Sequence, residues 1–264
     1  MQNESRILLA LDCDGTLTEE PYTCWLPVHK RAGTLQNNIE RRERYNRGEI
    51  TIEEFVREEL QDVLSLIADP NTVEEIVEED MRFRRGVEDF VKSYKEKVEM
   101  AVISAGCPPV VKKIAEKVGL ERVYTHEYTV MEEGGKKIVK LERAMDGQRK
   151  AEILQEYRKR GYTVIYLADV TGEIKKFELE ALQTADYSIV IRNYPKTEIS
   201  FGRKEAVDRA IEEHREAIYA VVDTLEEAVG VIERIIAEIQ GQQLFEPVEQ
   251  DHRLSTRTSS IWGV

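Results

Sequence analysis

Cysteine is scarce. Cys13, Cys24 and Cys107 are the only three in 264 residues, and no two make a C-x-x-C pair. A disulfide framework and a thiolate metal site are both excluded, and a reducing compartment fits best. The four histidines, His29, His126, His214 and His252, are scattered without ligand spacing, so structural or surface roles are expected for them. No apolar run approaches the length a membrane-spanning helix requires, and Met1-Gln2-Asn3-Glu4 is no signal-peptide start. The expectation is a soluble cytoplasmic protein without membrane contact. Positive charge is also short: 38 Lys and Arg stand against 51 Asp and Glu, for a net charge of -13. That balance argues against a surface tracking nucleic acid. It leaves room for a small phosphorylated ligand in a locally positive pocket.

What the chain does have begins at its first apolar run. Ile7-Leu8-Leu9-Ala10-Leu11 leads directly into Asp12-Cys13-Asp14-Gly15-Thr16-Leu17-Thr18, which reads as a buried strand opening into a polar loop. Continued strand alternation places Asp12 and Asp14 on one side and Cys13, a small buried hydrophobe, on the other. Two carboxylates held together repel unless a cation or a shared proton relieves them. Oxygen ligands of this kind suit a hard divalent ion, Mg²⁺ by default. Gly15 lets the backbone turn sharply and aim amide groups at an anion.

Beyond Pro21 and Pro27 the sequence turns helical from about 34 to 84. Thr51-Ile52-Glu53-Glu54 forms a capping box before a stripe of Phe55, Val56, Leu60, Val63, Leu64 and Ile67. Asp69-Pro70 is read as its end, and Thr72 as the start of another helix. From Gly86 strands and helices alternate. Met100–Ile103 runs into Ser104-Ala105-Gly106, Tyr162–Ala168 ends at Asp169, and further strands are expected at 187–191 and 217–222. A hairpin is expected around Gly134-Gly135, a helix over 149–160 and a last helix reaching about Gln240. Alternation of this length predicts an α/β fold with a mostly parallel sheet, and ligands in such sheets sit beyond the carboxyl ends of the strands. Asp12, Ser104 and Asp169 all fall there.

These pieces together resemble the haloacid dehalogenase (HAD) superfamily of phosphohydrolases. Asp12-x-Asp14-Gly-Thr-Leu-Thr is similar to its first motif, and Ser104 in Val-Ile-Ser-Ala-Gly to its second. Lys150 in Gly-Gln-Arg-Lys-Ala is similar to the third, and Asp169 with Glu173 to the fourth. The resemblance implies a Rossmann-like core over 1–19 and 84–240 and a small helical cap over 20–83, leaving a tail over 241–264 expected to be flexible. It also implies roles. Asp12 would be the nucleophile, and Asp14 the general acid and base. Ser104, Ala105, Gly106 and Lys150 would bind phosphate, and Mg²⁺ would be held by Asp12, Asp14, Asp169 and Glu173. The fourth motif departs from the usual pattern, with Ala168 before its first Asp and Glu173 in place of a later Asp, which puts metal affinity in question.

The helical insertion and the Val-Ile-Ser-Ala-Gly stretch resemble phosphoserine phosphatases in particular, and imply a small phosphorylated metabolite as substrate. A nucleotide or sugar phosphate is the alternative, since Arg41, Arg42, Arg44 and Arg47 could meet extra phosphate, although a solvated helix face is the better explanation of them. A receiver domain and a degenerate ligand-binding relative are the competing classes. A homodimer is left open.

Overall fold

A computed structural model describes residues 6–21, 23–171, 174–194 and 204–241. Glu173 and the tail beyond 241 lie outside the described residues. Arg6–Leu11 (β1) is the central strand, apolar on both faces because both are covered. Ile7, Leu9 and Leu11 enter one hydrophobic cluster, whereas Leu8 and Ala10 enter the other.

After β1 the chain passes through Thr18–Glu20 (β2) into four helices: Trp25–Ala32 (α1), Leu35–Asn46 (α2), Ile52–Ile67 (α3) and Pro70–Glu75 (α4). A π-helical turn over Ile76–Asp80 then leads to Arg82–Phe83 (β3), which pairs antiparallel with β2. The helical segment therefore leaves and re-enters through one two-stranded ribbon. The α/β alternation follows, in the order Val87–Tyr94 (α5), Glu99–Ile103 (β4), Pro108–Lys117 (α6) and Val123–Tyr124 (β5). Next come Glu127–Glu133 (β6), Lys136–Arg143 (β7), Gly147–Lys159 (α7) and Tyr162–Ala168 (β8). The chain closes with Ile174–Phe177 (α8), Leu179–Thr184 (α9), Tyr187–Ile191 (β9), Lys204–Glu213 (α10), Ala220–Val222 (β10) and Leu225–Ile239 (α11). The sheet has six strands in the order β10-β9-β8-β1-β4-β5, and every pairing is parallel. Strand order reverses at β1, which opens a crevice beyond the carboxyl ends of β1, β4 and β8.

Several local expectations shift. The strand expected over 217–222 is shorter, because Arg215–Ala217 forms a 3-10 turn and β10 starts at Ala220. The helix expected from Arg149 starts at Gly147, since the Asp146 carboxylate accepts the Arg149 amide at 2.8 Å and caps it. Asp69-Pro70 opens α4: the Asp69 side chain accepts the amides of Asn71 and Thr72, and proline fits the first helical turn. The hairpin is β6–β7, with Gly134 and Gly135 both in the left-handed region that a two-residue turn needs.

The helical segment has its own buried polar centre. Glu59 is fully buried and meets the Arg41 guanidinium, the Asn38 amide at 2.5 Å and His29 Nε2 at 2.5 Å. Arg41 also reaches Glu58 at 3.1 Å and Asp62 at 2.6 Å. Arg44 and Arg47 are exposed and pair with Glu58 at 3.6 Å and Glu49 at 2.6 Å. The arginine run is thus mostly internal or surface pairing, and Arg42 alone of the four lines the cavity described below. A second tie joins α3 to the hairpin: the Gln61 side chain accepts the Val139 amide at 2.9 Å and donates to the Lys137 carbonyl at 3.1 Å.

Candidate active site

The polar loop begins where β1 ends, at Leu11. Asp12 still donates its amide to the Leu167 carbonyl at 2.9 Å, as a strand residue would. From Cys13 the backbone turns, and the amides of Thr16, Leu17 and Thr18 all fold back onto the Cys13 carbonyl. Strand alternation therefore does not place Asp14. Its carboxylate is held from the far side of the loop, accepting the Cys24 amide at 3.1 Å and the Thr23 hydroxyl at 3.2 Å. Arg84 clamps the loop from beneath through the carbonyls of Gly15 and Thr16. Gly15 has a φ of +73°, and a β-carbon there would overlap the Asp169 carboxyl group.

Each remaining site residue arrives on its own element. Ser104 follows β4, and its hydroxyl accepts the Gly106 amide at 3.1 Å. Gly106 is packed so closely that an added β-carbon would lie 2.6 Å from Cys24 Sγ and 3.0 Å from Asp14 Oδ2. Lys150, in the first turns of α7, is buried with its ammonium 3.3 Å from Asp12 Oδ2. Asp169 follows β8, and its amide donates to Thr16 Oγ1 at 2.8 Å. One cavity of ≈ 100 Å³ is lined by Asp12, Asp14, Ser104, Ala105, Gly106, Lys150 and Asp169. Of the site residues predicted from the sequence, Glu173 alone falls outside the described residues.

Sequence reasoning missed several neighbours. Glu178 is buried beside Lys150, bonds its ammonium, and accepts the Tyr166 hydroxyl at 2.7 Å. His126 accepts the Met145 amide on Nδ1 at 2.8 Å, so its other nitrogen carries the hydrogen and donates to the Ala105 carbonyl at 2.9 Å. The same carbonyl accepts Trp25 Nε1–H at 3.1 Å. His126 and Trp25 thus pin the loop that carries Ser104. Nothing in local spacing marks these residues, because each reaches the site from a separate element.

Burial dominates the electrostatics. It pushes the Asp14 carboxyl up to about 7, reinforced by the nearby Asp12 charge. Burial raises Asp169 well above the usual carboxylate range, again with Asp12 and then Glu178 adding to it. Glu178 is pushed up to about 8 by burial against the pull of Lys150. For Lys150 burial works the other way, but Asp12 and Glu178 outweigh it and hold the ammonium charged. Burial lowers His126 to about 4, which keeps it neutral. The Cys13 thiol is pushed well up by burial and then by Asp14 and Asp12, so it is no nucleophile.

This donor set fits Mg²⁺. Asp12 and Asp169 offer hard oxygens, and Asp14 and Asp169 are held back from ionising by burial and then by the Asp12 charge, whose repulsion a cation would relieve. Among the described residues no three His, Cys, Asp or Glu side chains form a ready-made cage. Mg²⁺ does not demand one, since it is commonly held by one or two carboxylates, with phosphate oxygens and water completing its shell.

The sequence model of the haloacid dehalogenase-like hydrolases matches residues 8–174. No curated protein matches the chain. Among solved structures, a substrate-bound phosphoserine phosphatase complex superposes with a TM-score of 0.59 at 18% identity, over 87% of this chain and 99% of that one. A protein described as "probable phosphoserine phosphatase from vibrio cholerae" gives a TM-score of 0.64 at 16% identity, over 92% of this chain and 68% of that one. A phosphoserine phosphohydrolase-like protein from Francisella tularensis gives 0.54 at 15% identity, over 86% and 99%. At such identities the likeness is one of fold.

Proposed function

The chain belongs to the haloacid dehalogenase-like hydrolases, and from that premise we propose that it is a phosphomonoester hydrolase acting on a small phosphorylated metabolite. One observation carries the reading: an acidic pair, a serine loop, a buried lysine and a third aspartate, from four separate elements, line a single cavity. Asp12 is the nucleophile, displacing the alcohol from phosphorus to form an aspartyl-phosphate. Asp14, with its carboxyl raised to about 7, protonates the leaving alkoxide and then takes a proton from the hydrolytic water. Lys150, Ser104 and the Ala105 amide face the phosphoryl oxygens and stabilise charge that grows in the transition state, while the Gly106 amide holds the Ser104 hydroxyl in place. Asp12, the Asp14 carbonyl and Asp169 would hold Mg²⁺, which when bound offsets repulsion between carboxylate and phosphate.

The helical segment between β2 and β3 serves as a cap. It supplies the Thr23 and Cys24 bonds to Asp14 and the Trp25 bond to Ala105, so its seating and the positioning of the acid are coupled. A closed cap also excludes bulk water. The acid–base partner beside the nucleophile favours turnover over the receiver-domain and binding-module alternatives.

Asp12→Asn is nearly isosteric and should leave the fold intact while abolishing phosphate release. The assay is inorganic phosphate produced from p-nitrophenyl phosphate and a panel of alkyl phosphates in Mg²⁺. Wild-type turnover in that variant, with deamidation excluded by mass spectrometry, would sink the mechanism.

A further inference from the structure

The cavity has two unlike walls. On the core side stand the carboxylates, the serine loop and Lys150. Trp25, Ile52, Phe55 and Val56 line it from the helical segment, with Thr23 and Arg42 at its polar margin, and Phe177 joins them from α8. That second wall is preorganised. Trp25 is fixed through its indole N–H on Ala105. Phe55 and Phe177 lie on opposite sides of the cap–core boundary, and Tyr45 bridges them with ring centroids at 5.3 and 6.5 Å. Lys176 sits 4.9 Å from the Tyr45 ring centroid and donates to Asn46 Oδ1 at 2.5 Å, bracing the arrangement from the core. Trp25, Phe55 and Val56 are almost wholly removed from solvent.

A polar leaving group placed against this wall would lose its hydration without regaining hydrogen bonds from its five aromatic and aliphatic side chains. An apolar one would gain from transfer, by a factor of about four in affinity for each methylene buried.

We propose that the substrate is the monophosphate of a small apolar alcohol, with a branched alkyl chain or a single ring lying against Trp25, Ile52, Phe55, Val56 and Phe177. This inference rests on the phosphomonoesterase reading above and narrows it. It also separates this chain from an enzyme selecting phosphoserine, whose leaving group is a zwitterion.

The test is a comparison of kcat/KM in Mg²⁺ for esters with similarly poor alkoxide leaving groups. Isopentyl phosphate and benzyl phosphate represent the proposed class, O-phosphoserine and glycerol 3-phosphate the polar one, and adenosine 5′-monophosphate the large one. p-Nitrophenyl phosphate serves as the activated reference. The apolar esters should exceed the polar ones and the nucleotide by at least about tenfold. Phe177→Ser and Ile52→Ser alter half-buried positions and should each lower the apolar-to-polar ratio by about tenfold, with thermal unfolding confirming a folded protein. Equal or reversed preference, with p-nitrophenyl phosphate still hydrolysed, overturns the substrate class and leaves the phosphatase reading standing. An unchanged ratio in both variants overturns the assignment of the wall. Failure to hydrolyse any ester, the activated one included, removes the phosphatase reading and this inference with it.

Discussion

Asp14 shows how one residue's surroundings set its chemistry. It shares the loop with Asp12, but it is buried and held by Thr23 and Cys24, and its carboxyl titrates at about 7. In the proposed mechanism it is the general acid and must carry its proton during phosphoryl transfer. The transfer rate for an alkyl phosphate should therefore fall tenfold per unit once pH passes the carboxyl's midpoint, which bound Mg²⁺ would set below the metal-free value. The burst phase of a rapid-quench experiment measures this step. p-Nitrophenyl phosphate needs no proton on its leaving group, so its burst should lack that alkaline fall. The arginines give a second contrast. Arg41 is buried and bonds Glu58, Glu59 and Asp62, whereas Arg47 is exposed. Arg41→Ala leaves Glu59 charged and buried, and should cost about 3 kcal/mol in urea unfolding. Arg47→Ala should leave the urea midpoint almost unmoved.

At the scale of the element, α3 links stability to the cavity. Its capping box is complete: Thr51 Oγ1 accepts the Glu54 amide at 3.2 Å, and the Glu54 carboxylate accepts the Thr51 amide at 2.9 Å. This sets where the helix starts, and therefore where Ile52, Phe55 and Val56 stand on the cavity wall. Thr51→Ala should cost about 1 kcal/mol of stability. Calorimetry gives the stability, and a loss below about 0.3 kcal/mol would show that packing of the buried stripe alone fixes the helix start. The Thr51 box was readable because all its partners lie within one turn. Asp69-Pro70 does follow the end of α3 at Ile67, but the next helix starts at Pro70 rather than Thr72, because a Pro suits the first turn of a new helix as well as the end of an old one.

For the whole molecule the carboxylate cluster sets the response to pH and metal. The folded Asp14 carboxyl lies at about 7 against an ordinary 3.8, and Asp169 is also raised. Between these limits the unfolded chain has released protons that the native state retains. Stability of the metal-free protein should therefore fall as pH rises from about 4 through 7, by at most about 1.4 kcal/mol per unit for each such group, and go on falling towards 8, where Glu178 loses its proton. Mg²⁺ held as proposed would favour the native state and should offset the loss. Urea midpoints at pH 5 and pH 7.5, in chelator and in Mg²⁺, decide it. A metal-free protein more stable at pH 7.5 would contradict the account.

Much of this protein was already legible along the chain. Parallel strands buried on both faces are short apolar runs, and the groups at their carboxyl ends are marked by an abrupt change to polar residues. Asp12, Ser104 and Asp169 could therefore be picked out, along with the α/β class and the helical insertion. Those features depend on interactions within a few residues, which leave their pattern in the order of side chains. Tertiary packing decided the rest. It brought Thr23 and Cys24 onto Asp14, aimed Trp25 and His126 at one carbonyl, and set Glu178 against Lys150. It also turned most of the arginine run inward or onto surface pairs and gathered the aromatic wall from three helices. These contacts join residues from 9 to 80 positions apart. Their energies come from burial and from pairing across elements, and neither exists until the sheet and the helical segment have closed on each other.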